Sequence, residues 1–177
     1  MRKMVMSSVV LAAVLSSGCA SGPGGTPTPR GGGSSEPGPT LCADLAALVE
    51  GARSNFPGLR RQDRPVVVDN VPGFEAAMTL ANTAGCRILT SSAPYPDAYE
   101  CDLAPATSQP TARVIVERWA AVVGACPAVA SWTARAPTDA GYAWELELED
   151  NHQLVVTVVT TGEADARPTI VVRMNEI

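Results

Sequence analysis

The fold of this chain is decided by residues 141–159, GYAWELELEDNHQLVVTVV. Apolar residues hold every second position in two stretches separated by a polar turn: Tyr142, Trp144, Leu146, Leu148, Leu154, Val156 and Val158. Ile170, Val172 and Met174 repeat the pattern in a third stretch. A period of two is typical of strands that pack one face and expose the other. The C-terminal third is therefore predicted to form an antiparallel meander.

Two segments with helical spacing are predicted to cover the packed face of this sheet. The first follows Thr40, a favourable N-cap residue, and runs from about Leu41 to Ser54. The second opens at Pro110 and Thr111 and ends at Pro127. Its apolar stripe is formed by Ile115, Trp119, Val122 and Cys126. The sequence thus predicts an α+β fold, a mostly antiparallel sheet with two helices packed on one face.

Further strands are predicted between and after the helices. Residues 65–69 form a short strand that follows an arginine-rich turn (Arg60, Arg61 and Arg64) and is broken by Val71-Pro72-Gly73. Residues 74–80 fit either a helix or a strand. Residues 86–91 and 98–103 predict a hairpin around a proline-rich loop, and residues 131–136 indicate an edge strand.

The N-terminus has the three-part layout of a secretory signal peptide. Arg2 and Lys3 precede a mostly apolar run from Met4 to Leu15, and the small residues 16–18 follow. A helix of that run covers about 18 Å, which is short of the roughly 30 Å hydrocarbon core of a bilayer. We therefore expect the segment to direct export.

The stretch Leu15-Ser16-Ser17-Gly18-Cys19 resembles the lipobox of bacterial lipoproteins. The resemblance implies that Cys19 carries diacylglycerol, becomes the N-terminus after cleavage at Gly18 and anchors the protein in the bilayer. It departs from the commonest pattern, because Ser16 stands where leucine is usual. No aspartate follows Cys19, and in this respect the sequence resembles bacterial lipoproteins that are sent to the outer membrane of two-membrane bacteria. The alternative is an ordinary secretory signal.

Composition then divides the chain into three parts: a signal peptide over residues 1–18, a lipidated cysteine with a tether over residues 19–39, and one globular domain over residues 40–177. Twelve of the twenty residues from 20 to 39 are Gly or Pro, so this stretch cannot build a core. The remaining 138 residues suffice for one hydrophobic core.

If Cys19 is acylated, four cysteines remain, an even number that predicts two disulfides in an exported protein. Cys86 and Cys101 lie on the two arms of the predicted hairpin. Cys42 and Cys126 lie near opposite ends of the two helices. Of the three pairings that four cysteines allow, we therefore predict Cys86 with Cys101 and Cys42 with Cys126.

The sequence points away from catalysis, cofactors and nucleic acid. A net charge of -5 provides no cationic footprint for a phosphate backbone. His152, the only histidine, lies in a polar turn, and no cysteine pair has the spacing of a metal site. Alternating Glu145, Glu147 and Glu149 fit the solvated side of a strand better than a glycosidase pair. No catalytic, metal-binding or cofactor-binding residue is predicted.

Tyr95 and Tyr99, in and beside the loop of the predicted hairpin, are candidate contacts for a partner protein. Their alternative role is ordinary packing on the hairpin. We expect a non-enzymatic envelope lipoprotein that binds an unknown envelope protein, as an accessory component of a secretion, motility, transport or assembly apparatus. Two alternatives stay open: a small hydrolase acting on glycans or lipids, and a surface ligand-binding or inhibitor module. An enzyme needs a concave pocket with converging polar groups, whereas a partner-binding module should show a flat apolar or aromatic patch or an unpaired sheet edge.

Overall fold

The structure, a computed structural model, describes residues 33–90, 97–161 and 166–176. This part of the chain forms two helices and eight strands: α1 (Leu41–Arg53), β1 (Arg60–Val68), β2 (Val71–Ala76), β3 (Gly85–Leu89), β4 (Ala98–Asp102), α2 (Gln109–Ala125), β5 (Thr133–Ala134), β6 (Gly141–Glu147), β7 (His152–Thr161) and β8 (Arg167–Glu176). The predicted α+β class is confirmed, as are the hairpin, the C-terminal meander and the edge strand.

All eight strands belong to one antiparallel sheet in the order β1-β2-β3-β4-β8-β7-β6-β5. The described part of the chain therefore consists of two similar halves, each a helix followed by a meander of four strands. The last strand of each half lies in the middle of the sheet, where Glu100 of β4 pairs with Val171 of β8.

The two halves repeat the same contacts. Gly73 of β2 lies against β3, and a Cβ placed on it would be 2.4 Å from the carbonyl oxygen of Ile88. Gly141 of β6 lies in the same way against β7, and its Cβ would be 2.1 Å from the carbonyl oxygen of Val158. Buried helix positions also correspond at a spacing of 71 residues: Leu45 and Val116, Leu48 and Trp119, Ala52 and Val123. The fold is a pseudo-symmetric repeat.

One core lies between the sheet and the two helices. Its largest fully buried side chains include Trp119 of α2, Leu45 of α1 and Tyr99 of β4. Helix α2 is capped by Ser108, whose side chain accepts from the Thr111 N–H at 3.4 Å. Thr40 precedes α1 but makes no such bond, because its hydroxyl donates to Asp44.

The predicted stripe of α2 needs one correction. Val122 is 38 % exposed, whereas Val123 is fully buried together with Trp119. Because an α-helix has 3.6 residues per turn, Val123, four residues after Trp119, faces the sheet. Val122, three residues after Trp119, lies at the margin of the buried face.

The first two strands also differ from the prediction. The arginines expected in a turn belong to β1, and Val71-Pro72-Gly73 opens β2 instead of ending a strand. The true turn is the two-residue loop Asp69-Asn70, which has φ values of 51° and 66°. Asn and Asp tolerate this left-handed conformation, which matches the twist of a tight hairpin. Residues 74–76 are therefore strand.

Both predicted disulfides are present. Cys86 and Cys101 are direct partners across β3 and β4, with Cα atoms 4.1 Å apart. Cys42, in the first turn of α1, is bonded to Cys126 at the C-terminal cap of α2. The second bridge ties the two halves of the fold together on the helical side.

Part of the expected tether lies on the domain. The Ser34 N–H donates to the Asn82 carbonyl at 2.7 Å, and the Asn82 amide donates to the Glu36 carbonyl at 3.3 Å. Gly38 is buried against Ala81. The folded body thus includes residues 33–39, which the sequence assigned to the linker. Cys19 and the predicted signal peptide lie outside the described residues.

Candidate binding cleft

A cleft of about 840 Å³ opens on the sheet face that points away from the helices. Cys86 and Cys101 face the core, and side chains alternate along a strand. Arg87 and Asp102, the residues that follow them, therefore point to the opposite face and line the cleft. Its volume lies within the range of about 300–1,000 Å³ that is usual for small-molecule sites.

The β1–β2 hairpin forms one wall of the cleft because it bends over the sheet. Arg60 pairs with Ala76 and Pro65 with Phe74, so five residue steps along β1 oppose two along β2. Such a bulge bends a strand and increases its twist. As a result, Asp69 in the hairpin turn meets Arg167 at the start of β8, with an N–O distance of 2.6 Å.

A charged cluster centred on Arg87 forms the floor of the cleft. Its guanidinium donates to both carboxylate oxygens of Asp102, at 2.6 and 2.9 Å, and also to Glu100. The Arg87 side chain is only 12 % exposed. Burial lowers the pKa of Arg87, but the hydrogen bonds and negative charges of Asp102 and Glu100 outweigh it and raise that pKa. Arg87 is thus a fixed cation that holds two carboxylates.

Most of the other charged side chains around the cleft also form ion pairs. Glu75 of β2 accepts from Arg64 at 3.1 Å, and Arg167 is held by Asp69. Arg61, which also lines the cleft, has no ion-pair or hydrogen-bond partner among the residues that the structure describes. Among the described lining residues, Arg61 is therefore the one charged side chain without a partner, and its charge is positive.

The rest of the lining is mainly apolar. Ten of the eighteen described lining residues are Val, Ala or Pro, so much of the wall can contact hydrocarbon. These apolar residues include Val66, Val67 and Val68 of β1, Ala104 and Pro105 in the segment after β4, and Pro168 of β8. A cleft with an apolar wall and a few polar groups is typical of ligand-binding sites.

Apart from the carboxylates Glu75 and Asp102, the described lining offers few groups with nucleophilic or general-base chemistry. It holds neither histidine nor serine, Cys86 is in a disulfide, and Thr79 supplies its only hydroxyl. His152 begins β7, and it is not among the described lining residues. Glu145 is half-buried, where it pairs with Arg135 and accepts from Gln153. Glu147 is exposed.

The prediction that Tyr99 is an exposed partner contact is wrong. Tyr99 lies in β4 and is fully buried, its ring centroid is 6.0 Å from that of Phe56, and its hydroxyl donates to the Met78 carbonyl at 2.7 Å. Burial raises its pKa above the ordinary value, and the nearby charge of Asp44 adds to this shift. Tyr95 lies outside the described residues.

Sequence reasoning missed Arg87 and Asp102. The signal was present, since each follows a cysteine of the predicted hairpin and so falls on the face opposite the disulfide. Because Cys86 and Cys101 are register partners, the residues that follow them, Arg87 and Asp102, lie on the same face of the sheet, where their opposite charges can meet.

Neither described helix is long and apolar enough to cross a membrane. In the same part of the chain, no group of three or more His, Cys, Asp or Glu side chains is arranged to hold a metal ion. Comparisons with protein-family models, with curated proteins and with solved structures found no match. The cleft and the lipobox resemblance are therefore the basis for assigning a function.

Proposed function

We propose that this chain is a lipid-anchored protein of the bacterial cell envelope that binds a ligand in its cleft without converting it chemically. The observation that carries the proposal is the cleft itself, a concave site with an apolar wall and charges on its floor and rim. The anchoring rests on the resemblance of residues 15–19 to a lipobox, and the outer membrane is the proposed location. Two disulfides agree with an oxidising compartment.

The pairing of the charges favours binding over catalysis. A general acid or base needs a proton that it can exchange with a substrate. The Asp102 carboxylate accepts two bonds from Arg87, and Glu75 is paired with Arg64. These pairs give the cleft a fixed shape, as a binding site requires. We therefore favour a ligand-binding module over a hydrolase.

A second candidate function is contact with an envelope protein, as in the accessory component expected from the sequence. One observation favours it: β1 is an edge strand of the sheet, and Val67 on it is 72 % exposed. An exposed edge can accept a strand from a partner. Crosslinking in the native cell through a photoreactive residue at Val67 would capture such a partner.

The proposed anchor is tested by replacing Cys19 with serine in the full chain. Metabolic labelling with an alkyne fatty acid should mark the parent and leave Cys19→Ser unmarked, and the variant should leave the membrane fraction. Globomycin, which blocks cleavage of lipidated precursors, should cause the parent precursor to accumulate. If the parent is not labelled, the proposed anchor is wrong, and the protein is a freely diffusing secreted protein instead.

The proposed cleft is tested with Gly85→Trp. Gly85 lines the cleft, and a Cβ built on it meets no atom within 4 Å, so a large side chain at this position points into open space. The variant should fold, keep its disulfides and fail to complement a deletion strain. Gly85→Ala is the matched control and should complement. Full complementation by Gly85→Trp would contradict a role for the cleft.

A further inference from the structure

We propose that the ligand of the cleft is an anionic amphiphile, a molecule with a carboxylate or phosphate group on an alkyl chain. This inference rests on the proposed binding function and specifies the ligand. In it, Arg61 contacts the anionic group, and Val66 and Val68 of β1 contact the alkyl chain.

The charges of the cleft select an anion. The two carboxylates in the described lining are engaged by arginines, Asp102 by Arg87 and Glu75 by Arg64. A cationic ligand would have to share these carboxylates with their guanidinium partners and would be repelled by them. An anionic group can instead contact Arg61 while every observed pair stays intact, since Arg61 has no partner in the described ranges. Arginine also matches the planar geometry of carboxylate and phosphate oxygens.

The walls select an alkyl chain. Val66 and Val68 of β1 are half-buried on one side of the cleft, and Ala104, Pro105 and Ala106 lie in the segment that follows β4. These small and branched side chains offer no hydrogen-bonding groups of their own. The described lining also holds no aromatic side chain on which a base or sugar ring could stack. The apolar part of the ligand is therefore aliphatic.

The cleft also lies close to the point where the chain leads back to Cys19. Gly33 packs so tightly at this end of the sheet that a Cβ on it would be 1.6 Å from the Leu103 carbonyl oxygen and 2.8 Å from the Ala84 nitrogen. Ala84 itself lines the cleft. Fourteen residue steps separate Cys19 from Gly33, a length of at most about 50 Å when fully extended. An acylated Cys19 would thus keep the cleft near a bilayer, where amphiphiles are concentrated.

The ligand class is tested by equilibrium titration with 11-(dansylamino)undecanoic acid, a fluorescent carboxylate amphiphile. The protein is the chain from residue 20 onward, exported so that both disulfides form, because all described elements lie after residue 33. We expect saturable binding of one probe per chain. Gly85→Trp should abolish it, and Arg61→Gln should weaken it about tenfold or more, the usual effect of losing a charge-assisted hydrogen bond.

Arg53→Gln is the matched control, since it removes one arginine charge from α1, which packs on the opposite face of the sheet, and should leave binding unchanged. Dodecanoate and dodecyl phosphate should both displace the probe, and their ranking separates a free fatty acid from a phospholipid as the source. Dodecylammonium should not displace it. Displacement by dodecylammonium, or binding insensitive to Arg61→Gln, would overturn the ligand class.

Failure of the ligand class can be told apart from failure of the proposed function. If the probe does not bind, yet a different molecule co-purifies with the parent and is lost in Gly85→Trp, the ligand class is wrong and the binding function holds. If nothing binds and Gly85→Trp complements fully, both are wrong.

Discussion

Arg167 and Asp69 are 98 residues apart in the chain, yet the Arg167 guanidinium donates to the Asp69 carboxylate at 2.6 Å. Strands β3 and β4 lie between the β1–β2 hairpin and β8 in the sheet, so the contact requires the hairpin to bend over the open face. This ion pair closes one side of the cleft. It also links the hairpin of the first half to the first residue of the last strand.

Replacing Asp69 with asparagine should loosen the hairpin without unfolding the protein. The Asp69 side chain is 75 % exposed, and exposed ion pairs contribute about 0–1 kcal/mol. We expect faster amide hydrogen exchange in β1 and β2 and a loss of melting temperature of at most about 4 °C. Faster exchange throughout the sheet would show instead that the pair supports the whole fold.

Replacing Arg87 with methionine should destabilise the fold by about 2–3 kcal/mol, because it leaves two carboxylates side by side without their cation. We place the loss below the range for fully buried pairs since Asp102 is 32 % exposed. Because the loss comes from repulsion between two negative charges, the deficit should shrink as acid neutralises carboxylates toward about pH 4. Urea unfolding between pH 4 and 8 measures this.

The control is the triple variant Arg87→Met with Glu100→Gln and Asp102→Asn. It removes the repulsion and should recover part of the stability at neutral pH. A triple variant as unstable as Arg87→Met at every pH would show that packing of the arginine stem, and not charge, explains the loss.

Tyr99 should make the protein sensitive to alkali. Its pKa in the folded state is raised by burial, whereas a tyrosine in the unfolded chain titrates near 10. The contribution of Tyr99 to the free energy of unfolding is therefore complete below about pH 10. It is lost as the pH rises through the folded-state pKa, because ionisation of Tyr99 favours the unfolded chain. Urea unfolding at pH 8 to 11 should show a decline that Tyr99→Phe reduces. An unchanged decline in that variant would exclude Tyr99 as its cause.

The two disulfides should differ in their contribution to stability. The Cys42–Cys126 bridge spans 84 residues and the Cys86–Cys101 bridge spans 15. Loop-closure entropy predicts a loss of about 4.5 kcal/mol for the double alanine variant of the first and about 3 kcal/mol for that of the second. Chemical unfolding of both double variants tests this ranking. The reverse order would show that packing around the hairpin outweighs chain entropy.

The corresponding glycines of the two halves should both resist substitution. Gly73→Ala places a methyl group 2.4 Å from a backbone oxygen and should cost about 1–3 kcal/mol. Gly141→Ala should cost more, because its methyl group lies at 2.1 Å and its φ of 149° is one that side chains rarely adopt. Gly85→Ala, which meets nothing within 4 Å, should be neutral or slightly stabilising. Thermal unfolding of the three variants checks the order.

Periodicity predicted the parts of the fold that depend on local sequence. Alternation over residues 142–148 and 154–158 marked β6 and β7, and helical spacing marked α1 and α2. The hairpin of Cys86 and Cys101 also led to the correct disulfides. The pairing of β4 with β8 was not predictable in this way, because contacts between distant strands are selected by packing of the whole core.

The site was harder to predict than the fold. Tyr99 was misplaced because the proline-rich loop before it suggested exposure, whereas β4 begins at Ala98 and alternation turns Tyr99 into the core. The cleft depends on the bend of β1 over Arg87, and that bend follows from a register shift between Arg60 and Pro65. A register shift is a property of two strands together, so neither strand's sequence reveals it alone.

The central place of β8 affects how the chain reaches its final form. Residues 167–176 follow every other described strand in the chain but lie between β4 and β7. During folding, the inner edges of β4 and β7 stay unpaired until these residues are added. A product that stops before Arg167 would carry these two additional unpaired edges, which favour aggregation and degradation. Truncated copies should consequently be cleared from the cell, and only complete chains should accumulate.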